Sequence, residues 1–109
     1  MLEYKGYVGH AEYESETHSF HGEVLDTRDV ITFQSDTVKG LERAFRGSID
    51  DYLQFCSERG EDPDKPFSGR LMLRLSSELH RRVFVKAKEQ GKSLNQWIAE
   101  NLKDQLTKQ

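Results

Sequence analysis

The sequence predicts an α+β protein: a small antiparallel sheet with one helix, followed by a short strand and two helices that need a second copy of the chain. Three observations lead to this prediction. Aromatic and β-branched residues alternate with polar ones over residues 4–34, which is typical of strands. Apolar residues at helical spacing follow. A proline-containing segment then separates an acidic part of the chain from a basic one.

The acidic part is predicted to form a three-stranded meander and one long helix. Strands are expected over residues 4–14, 19–24 and 30–34, with polar turns between them, and a short fourth strand cannot be placed. Asp36 is expected to cap the helix, which should end near Gly60. Its buried face carries Leu41, Ala44, Phe45, Ile49, Tyr52, Leu53 and Cys56.

The charge distribution and the two prolines predict a domain boundary. Residues 1–66 hold 7 Lys/Arg and 15 Asp/Glu, whereas residues 67–109 hold 9 and 4. The two parts therefore carry net charges of −8 and +5. We expect a first domain over 1–60, a linker over 61–68 and a second domain over 69–109. The basic part suits phosphate, and the acidic part suits a basic partner.

The second domain begins with an alternating segment. Leu71, Leu73 and Leu75 lie on one side of the predicted strand, and Arg70, Met72 and Arg74 lie on the other. About 40 residues cannot bury such an apolar face alone, because small chains bury too little surface. The pattern therefore predicts a homodimer, whose paired basic faces suit the major groove of DNA.

Two short helices follow the alternating segment. Ser76 is expected to cap the first helix, and Gly91 should end it. Ser93 and Gln96 form the pattern of a capping box at the start of the second helix, which should run to about Leu106. Trp97 is predicted to belong to the buried face of this helix.

Composition excludes several other classes of protein. No stretch is apolar enough to span a membrane, and the single cysteine allows no internal disulfide, which fits a cytoplasmic protein. We expect no cofactor and no metal, because the histidines lack a metal-ligand spacing. We also expect no enzyme activity, since the candidate carboxylates have the residue type that a two-metal nuclease site needs but no other feature of such a site. They are Glu12, Glu14, Glu23 and Asp26.

The strand–helix–helix order resembles the ribbon-helix-helix repressors of the Arc/MetJ type. The resemblance covers about residues 67–106 and is carried by Leu71-Met72-Leu73-Arg74-Leu75, Glu78-Leu79-His80 and Gly91-Lys92-Ser93-Leu94-Asn95-Gln96-Trp97-Ile98. It implies that two chains pair their strands into a ribbon that enters the major groove of operator DNA. The implied groove-facing residues are Arg70, Met72 and Arg74, where Met72 replaces the usual polar residue. The implied phosphate contacts are Lys92, Ser93, Leu94 and Asn95, at a helix N-terminus.

A second resemblance, to the HicB antitoxins, spans nearly the whole chain. It is carried by Tyr4-Lys5-Gly6-Tyr7-Val8-Gly9, Phe20-His21-Gly22-Glu23-Val24, Arg28-Asp29-Val30-Ile31-Thr32-Phe33, Asp50-Asp51-Tyr52-Leu53 and Gly60-Glu61-Asp62-Pro63. It implies a partial ribonuclease H-like fold for the first domain. The implied function is an antitoxin that binds and inhibits a small basic mRNA-cleaving toxin of the HicA kind and represses its own operon. The implied assembly is a homodimer or a higher oligomer.

A different class of function stays open from the sequence. The chain could be a stand-alone ribbon-helix-helix regulator whose first domain senses a ligand or mediates oligomerisation. A small basic reading frame beside the gene favours the antitoxin, and an orphan gene favours the regulator.

Overall fold

The computed structural model describes residues 1–108 and confirms the α+β class. The chain forms two compact units, one spanning Met1–Arg70 and the other beginning at Leu71. The first unit contains four strands and one helix, and the second contains two helices. None of the helices in residues 1–108 is long and apolar enough to cross a membrane.

The region predicted as one strand over residues 4–14 forms a β-hairpin instead. Strand β1 covers Leu2–Tyr4 and β2 covers Tyr7–Glu14, and the two pair antiparallel. Lys5 and Gly6 form the turn, with φ angles of 51° and 83°. A two-residue turn with positive φ at both positions matches the twist of paired strands. β1 is therefore the fourth strand that the sequence could not place.

The remaining strands complete an antiparallel sheet in the order β1-β2-β3-β4. Strand β3 covers Ser19–Val24, as predicted. Strand β4 covers Thr32–Ser35, later than the predicted residues 30–34. Ile31 precedes β4 and is buried, and its carbonyl accepts a hydrogen bond from the Val24 amide at 2.9 Å. Each strand therefore follows its neighbour in the chain, which is the meander that the sequence predicts.

Helix α1 covers Val38–Glu58 and packs on one face of the sheet. Its N-cap is Thr37 and not the predicted Asp36, because the Thr37 hydroxyl accepts a hydrogen bond from the Gly40 amide at 2.9 Å. Arg59 is the C-cap of the helix, and Gly60 follows with a φ of 67°, so the helix ends near Gly60 as the sequence predicts. A positive φ is inexpensive for glycine, so the chain can leave the helix there.

The core of the first unit lies between α1 and the sheet. Its buried residues are Tyr7, Val24, Ile31, Phe33, Phe45 and Ile49. The rings of Phe33 and Phe45 lie 5.2 Å apart. Gly9 and Gly22 make room for these rings: a Cβ atom at Gly22 would lie 2.4 Å from Phe33 Cζ, and one at Gly9 would lie 2.6 Å from Phe45 Cε1. The two glycines therefore allow the phenylalanine rings to pack directly against the backbone of the strands.

The segment predicted as a linker over residues 61–68 is held against the first unit by Asp64. The Asp64 carboxylate accepts hydrogen bonds from the backbone N–H groups of Arg28 and Asp29, at 2.9 and 3.2 Å, and from Arg28 Nε at 2.9 Å. Its backbone is also bonded, since Tyr7 donates to the Asp64 carbonyl and the Asp64 amide donates to Tyr52. These contacts hold the chain around Asp64 within the compact unit, which extends to Arg70.

Acidification should therefore destabilise the first unit through Asp64. The hydrogen bond from the Asp29 backbone, followed by that from the Arg28 side chain, lowers the pKa of Asp64 below its usual value. The ionised form therefore stabilises the fold fully above the unfolded pKa of about 3.9, and this stabilisation is lost as the pH falls through the lower, folded pKa. We expect Asp64→Asn to be less stable than the wild type at neutral pH and to lose less stability on acidification.

Urea unfolding between neutral and acidic pH, followed by tyrosine near-UV circular dichroism, measures this effect because all four tyrosines lie in the first unit. Asp62→Asn is the matched control, since Asp62 is exposed two residues away. The same acid-induced loss in Asp64→Asn as in the wild type would contradict the assignment.

The second unit contains helices α2, Ser77–Glu89, and α3, Leu94–Thr107. Their N-caps are Ser76 and Ser93, as predicted, and each serine hydroxyl accepts a hydrogen bond from an amide three residues later. Gly91 has a φ of 68° in the turn between the helices. The local signals in the sequence therefore located both helices correctly.

Candidate functional site

The segment 70–76 forms neither helix nor strand in the single chain. Met72 is 90% exposed, and the leucines predicted to face a core, Leu71, Leu73 and Leu75, are 72%, 51% and 38% exposed. A β-strand exists through hydrogen bonds to a neighbouring strand, and the second unit offers this segment no such neighbour. The predicted strand over residues 70–75 is therefore not formed by the chain on its own.

Apolar side chains are exposed throughout the second unit. Ala87 is the one hydrophobic residue that this unit buries within the described residues. Its exposed large hydrophobic residues are Leu71, Met72, Leu73, Leu75, Leu79, Phe84, Val85, Leu102 and Leu106. Many exposed large apolar side chains in so small a unit are typical of a surface that another protein covers. Trp97 is only half-buried, which differs from its predicted place in a closed core.

The turn between α2 and α3 brings together the other predicted DNA-contacting residues. Lys92 and Leu94 are half-buried, whereas Ser93 and Asn95 are exposed. Ser93 Oγ caps α3 by accepting from the Gln96 amide at 3.1 Å. The first amides of a helix have no acceptors within the helix, so this turn presents N–H groups that an anion can accept.

The side chains around this turn differ from the predicted capping box. Gln96 does not turn back to the Ser93 amide; its Nε2 donates to Glu100 Oε1 at 3.2 Å. Lys92 Nζ forms an ion pair with Glu100 Oε2 at 2.5 Å. This hydrogen bond from Lys92 is the main cause that lowers the pKa of Glu100. The sequence analysis did not identify Glu100, because a contact between a loop and the second turn of a helix has no local signature.

The first unit presents an acidic sheet face on the side opposite α1. This open face carries the exposed residues His10, Glu12, Glu14, His21, Glu23, Thr32 and Gln34. The register places His10 opposite Glu23, and Glu12 opposite His21. None of the four strands contains a lysine or arginine. The open face is therefore a continuous surface without a permanent positive charge.

The carboxylates considered for a nuclease site do not form a metal cluster. Within residues 1–108, no group of three or more His, Cys, Asp or Glu side chains is placed to hold a metal ion. Glu12 and Glu14 contact His10 and His21 at 3.4 and 3.1 Å on the open face. Asp26 lies in the loop after β3, and its carboxylate accepts from the Phe67 amide at 2.8 Å.

The fold defines an α+β protein with a small second unit whose apolar surface is exposed. Residues 52–102 match the model of the HicB family. The match begins in the second half of α1 and ends within α3, so it includes the segment 70–76 and the α2–α3 turn. It supports a HicB-type protein and indicates a role related to toxin–antitoxin systems. No curated protein and no solved structure matches the chain.

Proposed function

We propose that this chain is the antitoxin of a type II toxin–antitoxin pair. It binds and inhibits a small basic mRNA-cleaving toxin of the HicA kind, and it represses its own operon through a dimeric ribbon-helix-helix domain. It acts in the cytoplasm and performs no catalysis itself, because inhibition follows from covering the toxin. The observation that carries the proposal is the HicB family match over residues 52–102.

The second unit supports the DNA-binding part of the proposal. Its leucines alternate with Arg70, Met72 and Arg74, and they are exposed in the single chain. Pairing this segment with its copy would satisfy its backbone hydrogen bonds and bury the leucines together. The same pairing would place four arginines on one face of the ribbon, where they could bind guanine in the major groove.

The first unit supports the toxin-binding part. Its open sheet face holds Glu12, Glu14 and Glu23 without a lysine or arginine on any strand. Complementary charge speeds and orients the association of proteins, so this face suits a basic partner. Because an antiparallel sheet can also leave one face in water, binding of the toxin to this face has to be measured directly.

Co-expression with the small basic protein encoded beside this gene tests the function. We expect this chain to restore growth and to co-elute with that protein during purification. A variant with Glu12→Gln and Glu23→Gln tests the role of the open face, because it keeps the shape of this face but removes two charges. It should co-elute more weakly than the wild type at moderate salt. The antitoxin function would be disproved if the wild-type chain neither restored growth nor co-eluted with that protein.

Arg74→Ala should weaken binding to the operator and relax its sequence preference. A side chain that makes two hydrogen bonds to one guanine contributes about 1–3 kcal/mol to discrimination, so the affinity should fall by about 5- to 150-fold. Competition between the operator and mixed-sequence DNA in a fluorescence-anisotropy titration measures both effects. Arg43→Ala, in α1 of the first unit, removes the same charge and should change neither quantity substantially. Unchanged operator affinity in Arg74→Ala would overturn the groove assignment.

A further inference from the structure

Lys92 is distinguished from the other basic residues of the second unit by its ion pair. The side chains of Lys92 and Glu100 are 33% and 44% exposed, and their charged atoms are in direct contact. Between residues 71 and 108, no other lysine or arginine lies within ion-pair distance of a carboxylate. Arg70 and Arg74 are likewise without an ion pair in the described chain. The charge of the proposed phosphate contact is therefore partly neutralised, whereas the charges of the proposed base contacts are not.

Glu100 is well placed to hold Lys92. One oxygen of its carboxylate contacts Lys92, and the other accepts a hydrogen bond from Gln96, one helical turn earlier on α3. Gln96 is itself positioned by the cap, since its amide donates to Ser93. The carboxylate is thus fixed from two sides, beside the turn that joins α2 and α3.

We infer that Glu100 is an intramolecular competitor of DNA phosphate for the Lys92 ammonium group, and that it thereby restrains sequence-independent binding. The inference rests on the proposed DNA-binding function. A phosphate and a carboxylate are both anions that accept hydrogen bonds from an ammonium group, so Lys92 has to leave or share Glu100 when it reaches the DNA backbone. Contacts to phosphate carry no sequence information, whereas contacts to base edges do. Weakening only the former raises the ratio of specific to non-specific affinity.

The expected size of the effect follows from the strength of exposed ion pairs. Such pairs contribute about 0.2–1 kcal/mol, which corresponds to a change of about 1.4- to 5-fold in affinity. Glu100→Gln keeps the hydrogen-bonding shape but removes the charge. We therefore expect it to bind mixed-sequence duplex DNA about two- to fivefold more tightly than the wild type. The slope of log affinity against log salt should become steeper by up to about 0.9, the value for one additional phosphate contact.

A double-mutant cycle with a charge control tests the inference. The variants are Glu100→Gln, Lys92→Ala and their combination, together with Glu89→Gln, which removes the same charge from an exposed site on α2. Binding of each to a mixed-sequence duplex is titrated at several salt concentrations. We expect Glu100→Gln to tighten binding more than Glu89→Gln does, and this excess to vanish when Lys92 is alanine.

The outcomes separate this inference from the proposed function. If the wild type binds DNA but Glu100→Gln behaves like Glu89→Gln or binds more weakly, the competition is disproved and the repressor function stands. If the wild type binds no DNA, both are disproved. Lys92→Ala alone provides a second measurement should Glu100→Gln fail to fold. In the wild-type background, Lys92→Ala should flatten the salt slope by clearly less than about 0.9, which is the change expected for a fully available lysine. A flattening by the full value of about 0.9 would contradict the inference.

Discussion

Leu73→Asp should abolish the dimer and, with it, the fold of the second unit. Leu73 is 51% exposed in the single chain and lies between two other exposed leucines. In the proposed ribbon it is buried against its copy, so aspartate would place an unpaired charge at the centre of a shared core. Such a burial costs several kcal/mol, which exceeds what about 40 residues can supply. We expect a monomer that does not bind the operator.

Trp97 emission, light scattering and operator binding measure this result together. The only tryptophan lies in the second unit and all four tyrosines lie in the first, so each unit has its own optical signal. Met72→Asp is the matched control: Met72 is 90% exposed and belongs to the opposite side of the alternating segment. It should lose DNA binding but keep the dimer. A folded, monomeric Leu73→Asp protein would refute the shared core.

Phe45→Ala should remove most of the stability of the first unit. Phe45 is fully buried, packs on Phe33 and lies over Gly9, which has no side chain to fill the space. Replacing a buried phenylalanine by alanine costs about 3–5 kcal/mol, because apolar contacts are lost and a cavity remains. Total stabilities of small domains are only about 5–15 kcal/mol. We therefore expect a large fall in the urea midpoint of the tyrosine signal.

Phe55→Ala provides the comparison on the same helix. Phe55 is 52% exposed and its ring lies 5.2 Å from the Arg59 guanidinium, so its removal should cost about 1 kcal/mol or less. The Trp97 transition should be unchanged in both variants if the two units unfold separately. Equal midpoints for Phe45→Ala and Phe55→Ala would show that the core is not organised around Phe45.

The sequence predicted those parts of the fold that depend on neighbouring residues. Ser76 and Ser93 cap their helices, and Gly60 and Gly91 follow helix ends, because capping depends on a few consecutive residues. It was less successful where two local patterns compete. The turn at Lys5 and Gly6 interrupts an alternation that continues on both sides, so one strand was predicted where two exist.

The DNA-contacting residues could be placed only in part. Lys92, Ser93, Leu94 and Asn95 lie together at the start of α3, as a helix cap requires. Arg70, Met72 and Arg74 lie in a segment without strand pairing, and their predicted role in the groove remains a prediction. Strand pairing between two copies is a property of the assembly. The alternation of apolar and polar residues along one chain can indicate such pairing, but the single chain does not contain it.

By itself, the sequence determined the class of the fold, the order of its main elements and the separation of acidic from basic charge, because periodicity, caps and composition are local properties. Only the tertiary structure decided that Asp64 anchors the segment 61–68 to the first unit, through a hydrogen bond from Tyr7, which lies 57 residues earlier in the chain. The tertiary structure alone also showed that Glu100 forms an ion pair with Lys92. Both contacts join residues that the folded backbone brings together, and neither depends on spacing along the chain.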